Sequence, residues 1–414
     1  MKLRPVRGTH DLFGEEIKKF NIIKDIVSKI AKLNSFNEFQ SPIFEFTNLF
    51  LKPLGEHSDV VLKEMYTFKD RNEEQLTLRP EYTTPMIRGA ITNNLLNDLP
   101  LKLYGLGPMF RRERPQKGRY RQFNQINFEI FGTDDYLADF ELIFIANEIL
   151  KSLLPNNNFE LHLNSLGSKL NLIKYKSVLS KYFQDKNQFL TKESKEKIYS
   201  NPLRILDSKY NEDQKVCDLA PRINEYLDQD LKNHFERLKK ALKLSNIEYK
   251  ENHKLVRGLD YYCSTVFEFK TNDIGSQNTL LGGGRYDGLI GTLGGPNIPG
   301  IGWAAGVERV SMLMDQSINT NNSLVHIALM DDKFKDHLIN LINFLHKNSI
   351  EYFWNFKYNL KKSLSKASDD KIKYIIIIGE DEFKNNSYTV KNLLNGNQSQ
   401  IKLDEIKNYL NDKS

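Results

Sequence analysis

The sequence predicts an α+β fold: an antiparallel sheet flanked by helices, interrupted by a helical insertion and followed by a small α/β domain. Three observations lead to this prediction. Strand-like segments follow one another in the first third of the chain without helices between them, which is typical of an antiparallel sheet. A lysine-rich, glycine-poor stretch in the middle has a helical pattern. Near the C-terminus, strand-like and helical segments alternate.

The composition is that of a globular protein with room for two or three domains. The chain has 414 residues, of which 40% are hydrophobic and 27% are charged. Its net charge is +6, and the segment 110–125 alone contains six cations and a single carboxylate, so the positive charge is local. This excludes a uniformly basic coat protein and indicates one concentrated site for an anion.

Neither a membrane anchor, a disulfide framework nor a zinc site is expected. The N-terminus has no apolar run after its charged residues, and the longest aliphatic run, Ile375–Ile378, is far too short to cross a bilayer. The cysteines Cys217 and Cys263 lie far apart and outside any CxxC pair. We therefore expect a soluble cytoplasmic protein that makes no membrane contact.

The first block of the chain combines a helix with several strands. A helix is predicted over Glu15–Leu33, where apolar residues recur at three- and four-residue spacing. The next segment, FNEFQSPIFEF, alternates like a strand and is broken at Pro42, which suits an edge or a bend. Further elements are predicted as strands over 66–78, 101–110 and 121–132, and as a helix over Asp139–Leu154.

The helical insertion is expected over residues 169–250. Strand-like, glycine-punctuated sequence then resumes with LVRGLDYYCSTVFEF and continues through LLGGGRYDGLIGTLGG to GIGWAAGVERVSMLM. Because the same kind of sequence stands on both sides of the insertion, residues 1–168 and 251–318 are predicted to build one sheet domain.

A polar linker at about 315–323 precedes the last predicted domain, residues 324–414. The segments VHIALM, YFWNF, YIIIIG and SYTVKNL have the pattern of short strands. The stretches between the first three are helical, and another helix closes the chain. This alternation predicts a small α/β domain with a buried sheet.

The basic segment FRRERPQKGRYRQFNQ is predicted to be a hairpin with a charged loop. Arg111 directly follows an apolar strand end, and Glu113 lies on the same face of the extended chain. Pro115 and Gly118 mark the loop, after which a strand runs back. A rigid arginine suits bidentate phosphate binding, and a mobile basic loop suits a single-stranded RNA end. The alternative is a solvated turn without a ligand.

Two more arginines have similar surroundings. Arg257 lies in LVRGLDYY, and Arg309 lies in GVERVSML, on a helix that follows a glycine-rich strand. Three arginines on glycine-flanked strands of one sheet indicate a clamp on a polyphosphate. Surface salt bridges are the alternative for each arginine taken alone.

The segment TLRPEYTTP places Glu81 and Thr83 near a strand end. A carboxylate beside hydroxyls can hold an ammonium group, although a plain turn is equally compatible with the spacing. The glycine run LGGGRYDGLIGTLGG lacks both GK[ST] and a strand–GxGxxG–helix context, so it does not indicate a Walker or Rossmann site. Close packing of strands around an active-site floor explains it better.

Taken together, these motifs resemble the histidyl-tRNA synthetases, class II aminoacyl-tRNA synthetases of the bacterial type, over nearly the whole chain. VRGTHDLFGEE resembles their N-terminal signature, and FQSPIFEFTNLF resembles motif 1, which builds the dimer interface in the family. TLRPEYTTP is similar to the loop for the substrate amino group, FRRERPQKGRYRQFNQINFEIFG to motif 2 and GVERVSML to motif 3. LVRGLDYY and LGGGRYDGL resemble the two histidine-specific signatures and carry the most weight.

The resemblance implies a role for each matching residue. Arg111 would bridge the histidine carboxylate and the ATP α-phosphate, Arg257 would be the catalytic cation at the α-phosphate, and Arg309 would hold the γ-phosphate. Glu113 would contact the adenine side. The residues implied to bind histidine are Glu81, Thr83 and Gln125 at the amino group, and Glu129 and Tyr262 at the imidazole, with Tyr261 adjacent. Those implied to contact the tRNA acceptor end are Gln116, Lys117, Arg119 and Arg121.

The resemblance also implies the reaction and its partners. The fold would be that of the class II synthetases, with residues 324–414 as the anticodon-binding domain. The activity would be that of a histidine–tRNA ligase using ATP, Mg²⁺, L-histidine and tRNA(His). The protein would be a homodimer, without a metal site made by protein side chains alone. The alternatives are the regulatory paralogue of ATP phosphoribosyltransferase, a class II synthetase for threonine, proline or glycine, and a non-catalytic RNA-binding or signalling domain.

Overall fold

The computed structural model describes residues 3–54, 61, 64–156, 158–259, 261–273, 278–315 and 325–411. The chain divides into two compact units, residues 1–315 and 316–414. The predicted linker at 315–323 lies almost wholly outside the described residues. This division does not separate residues 169–250 from the rest of the first unit, so the bounds of the helical insertion stay a prediction.

The first unit opens with a helix, short strands and a long hairpin. In chain order its elements are α1 (Gly14–Leu33), β1 (Asn37–Glu38), β2 (Phe44–Phe46), α2 (Asn48–Leu54), β3 (Tyr66–Lys69), β4 (Gln75–Leu78), α3 (Thr83–Thr92), β5 (Leu101–Phe110), β6 (Gln122–Phe131), α4 (Tyr136–Leu153) and β7 (Glu160–Ser165).

A run of helices follows, and the chain then returns to strands. These elements are α5 (Lys169–Asp185), α6 (Lys192–Ser200), α7 (Leu203–Leu206), α8 (Asn211–Cys217), α9 (Gln229–Leu244), β8 (Tyr249–Glu251), β9 (Cys263–Lys270), β10 (Thr279–Arg285), α10 (Leu289–Thr292), β11 (Gly300–Gly306) and α11 (Val307–Leu313).

The large sheet of this unit has, in the described part of the chain, eight strands in the order β1-β5-β6-β11-β10-β9-β7-β8. Its centre is antiparallel, as predicted, while the two outermost pairs, β1 with β5 and β7 with β8, are parallel. A second, antiparallel sheet has the order β2-β4-β3. The alternating segment FNEFQSPIFEF therefore divides between two sheets around Pro42.

Several local predictions agree with the structure. Helix α1 buries Ile23 and Val27, which belong to the stripe that its periodicity predicted, and Ala31 one turn further on. The hairpin β5–β6 pairs Leu101 with Phe131 at one end and Phe110 with Gln122 at the other.

The helices between 169 and 244 share a hydrophobic core with the sheet. One cluster of buried side chains includes Leu179 and Phe183 in α5 together with Leu103 in β5 and Phe131 in β6. The sequence did not predict α3, β7 or β8. The described residues of LVRGLDYY, 255–259 and 261–262, also form no strand, because β9 begins only at Cys263.

The second unit has the predicted alternation of strands and helices. Its elements are β12 (Val325–Leu329), α12 (Lys335–Lys347), β13 (Tyr352–Trp354), α13 (Leu360–Asp369), β14 (Tyr374–Ile378), α14 (Glu380–Lys384), β15 (Tyr388–Asn392), β16 (Gln398–Ile401) and α15 (Ile406–Asn411). The strand order is β13-β12-β14-β15-β16. Strands β13, β12 and β14 run parallel to one another, and β15 pairs antiparallel with both β14 and β16. Apolar clusters cover both faces of the sheet, as predicted.

Candidate active site

A cavity of about 190 Å³ lies in the first unit, between the hairpin loop, strand β10 and helix α11. It collects most of the residues singled out in the sequence, although they come from positions more than 200 residues apart. The predicted residues that line it are Glu81, Thr83, Arg111, Glu113, Arg119, Gln125, Arg257, Tyr261, Tyr262 and Arg309.

Arg111 is held rigidly where the hairpin leaves β5. Its Nε donates a hydrogen bond to the carbonyl oxygen of Pro80 at 2.8 Å, and its guanidinium carbon lies 5.3 Å from the ring centre of Phe123. The Glu113 carboxylate lies 4.0 Å from an Arg111 nitrogen and 2.9 Å from Nε of Arg119. Arg111 and Glu113 therefore lie on the same side of the chain, as predicted, although the closer ion-pair partner of Glu113 is Arg119.

The loop of the hairpin divides into an exposed tip and an anchored base. Gln116 and Lys117 are exposed and lie outside the cavity lining. Arg121 has a different environment. Its Nε donates to the carbonyl oxygen of Glu113 at 3.3 Å, and its backbone N–H donates to the carbonyl oxygen of Gly8 at 2.7 Å. Arg121 therefore ties the loop to the N-terminal segment VRGTHD.

Arg257 lies in the loop before β9, not on a strand as the sequence predicted. Its guanidinium forms an ion pair with Glu268 and lies 5.5 Å from the ring centre of Tyr262. Glu268 also accepts from Lys270 at 3.0 Å and from the Thr279 hydroxyl at 3.2 Å. Burial alone would raise the pKa of Glu268, but the charges of Arg257 and Lys270 outweigh it and hold that pKa below its usual range.

Arg309 connects three elements around the cavity. It lies on α11, its Nε donates to the carbonyl oxygen of Gly118 in the hairpin loop at 3.1 Å, and an Nη donates to that of Thr279 on β10 at 2.9 Å. Its neighbour Glu308 accepts from the backbone and side-chain nitrogens of Asn124 at 2.8 and 3.0 Å. Each cavity arginine is thus fixed by the protein itself.

Glu81 caps the start of helix α3. Its two oxygens accept from the backbone N–H groups of Thr83 and Thr84, each at 2.8 Å. The two interpretations of TLRPEYTTP, a turn and a binding site for an ammonium group, are therefore compatible. The Glu81 carboxylate that caps the helix also lines the cavity. Burial raises the pKa of Glu81, and the hydrogen bonds from Thr84 work against that rise.

Glu129 lies beneath the cavity floor and is fully buried. One oxygen accepts from the Thr83 hydroxyl at 2.7 Å, and the other accepts from the hydroxyl of Tyr286. Burial raises the pKa of Glu129 to about 8, although both hydroxyls favour its charged form. A Cβ on Gly302 would lie 1.4 Å from this carboxylate, so only glycine fits there.

Sequence reasoning missed Tyr286 and Glu268. Tyr286 belongs to GGGRYDGL, which was singled out for its glycines, and its partner Glu129 is 157 positions away. The glycines themselves allow close packing, as predicted. A Cβ on Gly282 would lie 2.4 Å from Arg257, and one on Gly283 would lie 2.1 Å from a backbone oxygen of β11.

The floor also presents aromatic rings and an unsatisfied acceptor. The rings of Tyr261 and Tyr262 are 4.6 Å apart, and Tyr286 packs edge-on against Tyr261 at 5.8 Å. Gln125 is buried, and within the described residues its side-chain oxygen has no hydrogen-bond partner. Three fixed cations above a floor with an unsatisfied acceptor and buried carboxylates can accommodate a polyphosphate beside a small zwitterion.

Within the described ranges, no group of three or more His, Cys, Asp and Glu side chains could hold a metal ion. Cys217 and Cys263 are both free and buried. No helix in the described part of the chain is long and apolar enough to span a membrane.

Two family profiles match this chain. The histidyl-tRNA synthetase profile covers residues 8–310, and an anticodon-binding-domain profile covers residues 320–413. The chain belongs to the histidyl-tRNA synthetase family. The cavity lies inside the span of the synthetase profile, and the fold is the class II synthetase fold that the resemblance implied.

Individual relatives cover nearly the whole chain. The histidine–tRNA ligase of Ehrlichia chaffeensis is 43% identical over 401 residues, which is 97% of this chain and 96% of that protein. The ligase of Wolbachia pipientis wMel is 40% identical over 404 residues, or 98% of each chain. The crystal structure of apo histidyl-tRNA synthetase from S. aureus matches with a TM-score of 0.80 at 31% identity, over 99% of this chain and 100% of that one.

Proposed function

We propose that this protein is a histidine–tRNA ligase. It activates L-histidine with ATP to histidyl-adenylate and transfers the histidyl group to the 3′ end of tRNA(His). The observation that carries the proposal is a single cavity in which Arg111, Arg257 and Arg309 meet a carboxylate- and tyrosine-lined floor, inside the span of the synthetase profile.

In the first step, an oxygen of the histidine carboxylate attacks the α-phosphorus of ATP in line and pyrophosphate leaves. Negative charge grows on the α-phosphate oxygens during this displacement. Arg111 bridges the incoming carboxylate and the α-phosphate, Arg257 stabilises the developing charge, and Arg309 holds the γ-phosphate, while Glu113 contacts the adenine side. Because each guanidinium is already fixed by hydrogen bonds or an ion pair, little reorganisation is needed during the reaction.

The amino acid is held below the phosphates. Glu81, Thr83 and Gln125 bind the ammonium group, and the unsatisfied oxygen of Gln125 supports this assignment. Glu129 and Tyr262 read the two imidazole nitrogens, with Tyr261 alongside. In its ionised form, each carboxylate oxygen of Glu129 has two lone pairs, so it can accept from an imidazole N–H besides the hydroxyl it already binds.

Reading of both imidazole nitrogens explains how the enzyme selects histidine without a second site that hydrolyses wrong products. The buried polar groups of the site need hydrogen bonds from both imidazole nitrogens. An analogue that lacks one of these nitrogens leaves a buried polar group unpaired. Such a loss rejects the analogue by roughly 10⁴–10⁵.

Mg²⁺ is proposed to bind through the phosphates of ATP. Mg²⁺ commonly binds through substrate phosphates with one or two carboxylates. Glu308 is a cavity carboxylate that could contribute. The ion would neutralise part of the phosphate charge.

In the second step, a ribose hydroxyl of the tRNA end attacks the histidyl carbonyl and AMP leaves. The exposed tip residues Gln116 and Lys117, together with Arg119, are proposed to contact the acceptor end. Arg121 would act on it through the position of the loop, because its side chain bonds to the loop backbone.

A homodimer is proposed from an exposed apolar face of the sheet β2-β4-β3; a cytoplasmic location stays a separate proposal. The register aligns Phe46, Leu76 and Phe68 in one row across the strands, and Phe44, Leu78 and Tyr66 in the next. Phe44, Phe46 and Phe68 are 53%, 58% and 44% exposed. Contiguous apolar surface of this kind marks an interaction site. Strand β2 of this sheet lies in the segment that resembles motif 1.

The regulatory paralogue of ATP phosphoribosyltransferase is a less favoured alternative. A Bacillus halodurans structure described as an ATP phosphoribosyltransferase regulatory subunit/histidyl-tRNA synthetase matches with a TM-score of 0.65 at 18% identity, which shows the fold alone. The intact arginine set and the match to an anticodon-binding domain over residues 320–413 favour the ligase.

Aminoacylation tests the proposal. With ATP, Mg²⁺ and labelled L-histidine, the purified protein is expected to charge a tRNA(His) transcript and to leave tRNA(Thr) and tRNA(Pro) uncharged. Absence of histidylation with correctly folded tRNA(His) would contradict the assignment.

A further inference from the structure

The N-terminal segment VRGTHDLF, residues 6–13, has no role in the proposed reaction, although it belongs to a motif that stands out in the sequence. It contains neither a helix nor a strand and leads directly into α1. A turn shapes it, in which the backbone N–H and the hydroxyl of Thr9 both donate to the carbonyl oxygen of Val6, at 2.9 and 2.8 Å. We call residues 6–13 the N-terminal strap.

Two consecutive backbone hydrogen bonds connect the strap to Arg111. The N–H of Arg121 donates to the carbonyl oxygen of Gly8 at 2.7 Å, and the N–H of Arg111 donates to the carbonyl oxygen of Arg121 at 2.9 Å. Gly8 has a left-handed backbone at φ +89°, and an added Cβ would lie 2.8 Å from Cγ of Arg121 and 2.9 Å from Cγ of Pro115. Glycine is therefore required where the strap meets the base of the hairpin loop.

His10 contacts the same loop through its ring. The ring centre lies 4.7 Å from that of Tyr120, which lines the active-site cavity. The buried Nδ1 of His10 has no hydrogen-bond partner among the described residues, so the ring contact, and not that nitrogen, links His10 to the loop. Burial raises the pKa of Glu308, another cavity residue, and hydrogen bonds from Asn124 and the charge of a protonated His10 work against that rise. His10 therefore lies close to two residues of the cavity wall.

Helix α1 anchors the other end of the strap. Nζ of Lys19 in this helix donates to the carbonyl oxygens of Ser311 and Met314, at 3.2 and 2.7 Å. Ser311 lies in helix α11 and Met314 directly follows it, and the same helix carries Glu308 and Arg309. The strap thus runs from a helix fixed against α11 to the hairpin loop, and it can hold the loop at a set distance from α11.

We propose that the N-terminal strap positions the hairpin loop for ATP, and that His10 is a positioning residue that acts through Tyr120. The contacts of the strap lead to Arg111 and Glu308, which the proposed reaction assigns to the α-phosphate and to the Mg²⁺ of ATP. His10 itself lies outside the cavity lining. The inference rests on the proposed function for its nucleotide, and it gives the N-terminal motif a role in that function.

The strap acts on the nucleotide and not on the amino acid. Glu81 and Glu129, which are proposed to hold histidine, accept from backbone N–H groups and hydroxyls of residues outside the strap. Loss of the strap contact is therefore expected to weaken ATP binding and to leave histidine binding nearly unchanged. A residue that merely supports the fold would not separate the two ligands in this way.

The first test measures ATP and histidine binding to the full chain by isothermal titration calorimetry. His10→Ala is expected to raise the dissociation constant for ATP by roughly two- to tenfold, the range for one lost aromatic pair. The dissociation constant for histidine is expected to stay at the wild-type value. His10→Phe keeps a ring against Tyr120 and is expected to restore ATP binding. His346→Ala, at an exposed histidine of α12, is the control.

Three outcomes of this test would overturn the proposal. The first is equal ATP affinity of His10→Ala and the wild type. The second is equal weakening of ATP and histidine binding, because the strap would then support the cavity as a whole. The third is failure of His10→Phe to restore ATP affinity, because the ring contact would then not be the means by which His10 acts.

A double variant tests whether His10 acts through Tyr120. Residues that act through one contact have effects that do not add. His10→Ala/Tyr120→Ala is therefore expected to bind ATP as well as Tyr120→Ala alone. A double variant in which the two losses of ATP affinity add in full would contradict this route.

Hydrogen exchange tests the strap without any ligand. Gly8→Ala is expected to push the strap away from the loop, so that the amide of Arg121 loses its acceptor and exchanges roughly two- to tenfold faster, as for one lost hydrogen bond. Gly14→Ala is the matched control, because Gly14 is also left-handed, at φ +57°, but a Cβ there would meet nothing within 4 Å. Equal exchange at Arg121 in Gly8→Ala and the wild type would overturn the strap contact.

These measurements separate the strap from the proposed function. Neither calorimetry nor hydrogen exchange needs catalysis. A wild type that binds ATP but charges no tRNA(His) would contradict the ligase assignment, and the effect of His10→Ala on ATP affinity would still decide the role of the strap.

Discussion

Arg257 has a charge environment suited to a catalytic cation. Glu268 is its carboxylate partner, but Glu268 also neutralises part of the charge of Lys270. Two cations share one carboxylate, so this group of three side chains keeps a net positive charge. At the same time the ion pair fixes the guanidinium, which is the preorganisation that favours a transition state over a bound substrate.

Replacing Arg257 with alanine is expected to lower the rate of histidyl-adenylate formation by roughly 10²–10³, as for other single donors to a developing oxyanion. ATP and histidine should still bind, because Arg111, Arg309 and Glu81 remain. Single-turnover adenylate formation and equilibrium binding separate the two effects. Arg237→Ala, at an exposed position of α9, is the matched control. Unchanged turnover in Arg257→Ala would show that its role is wrongly assigned.

Glu129 makes stability depend on pH in a defined direction. Its pKa is raised to about 8 in the folded protein, so between pH 4.5 and 8 the folded state keeps a proton that the unfolded chain has lost. The stabilisation from this proton is complete below the pKa of the unfolded chain and is lost as pH rises to about 8.

Glu129→Gln is therefore expected to gain thermal stability relative to the wild type between pH 5 and pH 8. The relative gain is at most about 1.4 kcal/mol per pH unit, since one pKa unit corresponds to that free energy. Melting temperatures of both proteins without ligand, compared at pH 5 and pH 8, measure it. A constant difference in melting temperature across this range would rule out the raised pKa.

At the scale of elements, glycine-containing strands form the floor of the site. β10 and β11 bring Gly282 against Arg257 and Gly302 against Glu129, so the side chains of Arg257 and Glu129 occupy space that a Cβ would fill. The hairpin β5–β6 supplies Arg111 on one side of this floor, and α11 supplies Arg309 on the other.

Gly282→Ala is expected to displace the Arg257 guanidinium, because the added Cβ would lie 2.4 Å from its nitrogen. Misplacement of a catalytic group by about 1 Å costs on the order of 10²-fold in rate. Gly291→Ala is the control, since its Cβ would meet its nearest neighbour at 3.6 Å, an ordinary contact. Pyrophosphate exchange and thermal melting are compared. Full activity of Gly282→Ala would contradict the packing argument.

Elements that are determined locally could be predicted from the sequence, and those that depend on distant partners could not. α1 and the β5–β6 hairpin follow from periodicity and turn residues within their own segments. Helix α3 begins where Glu81 caps it in a proline-containing segment, which hides its pattern. The three-residue strand β8 exists through pairing with β7, across the whole run of helices. Tyr286 and Glu129 are also far apart in the sequence, so the hydrogen bond between them could not be predicted.

At the scale of the whole molecule, the apolar face of the sheet β2-β4-β3 is expected to form the dimer interface. The wild type should then have about twice the chain mass of 48.2 kDa by light scattering. Phe46→Asp/Phe68→Asp should be monomeric, because it places two carboxylates on that face. The control Phe189→Asp changes a residue that is 56% exposed elsewhere in the first unit. A monomeric wild type, or a dimeric double variant, would contradict this interface.

The central claim is that the cavity activates histidine and no other amino acid. ATP–pyrophosphate exchange, measured with each of the twenty amino acids in turn, tests it most directly because it reports the first step without tRNA. The account predicts exchange with L-histidine alone. Exchange with threonine or proline, or no exchange with any amino acid, would contradict it.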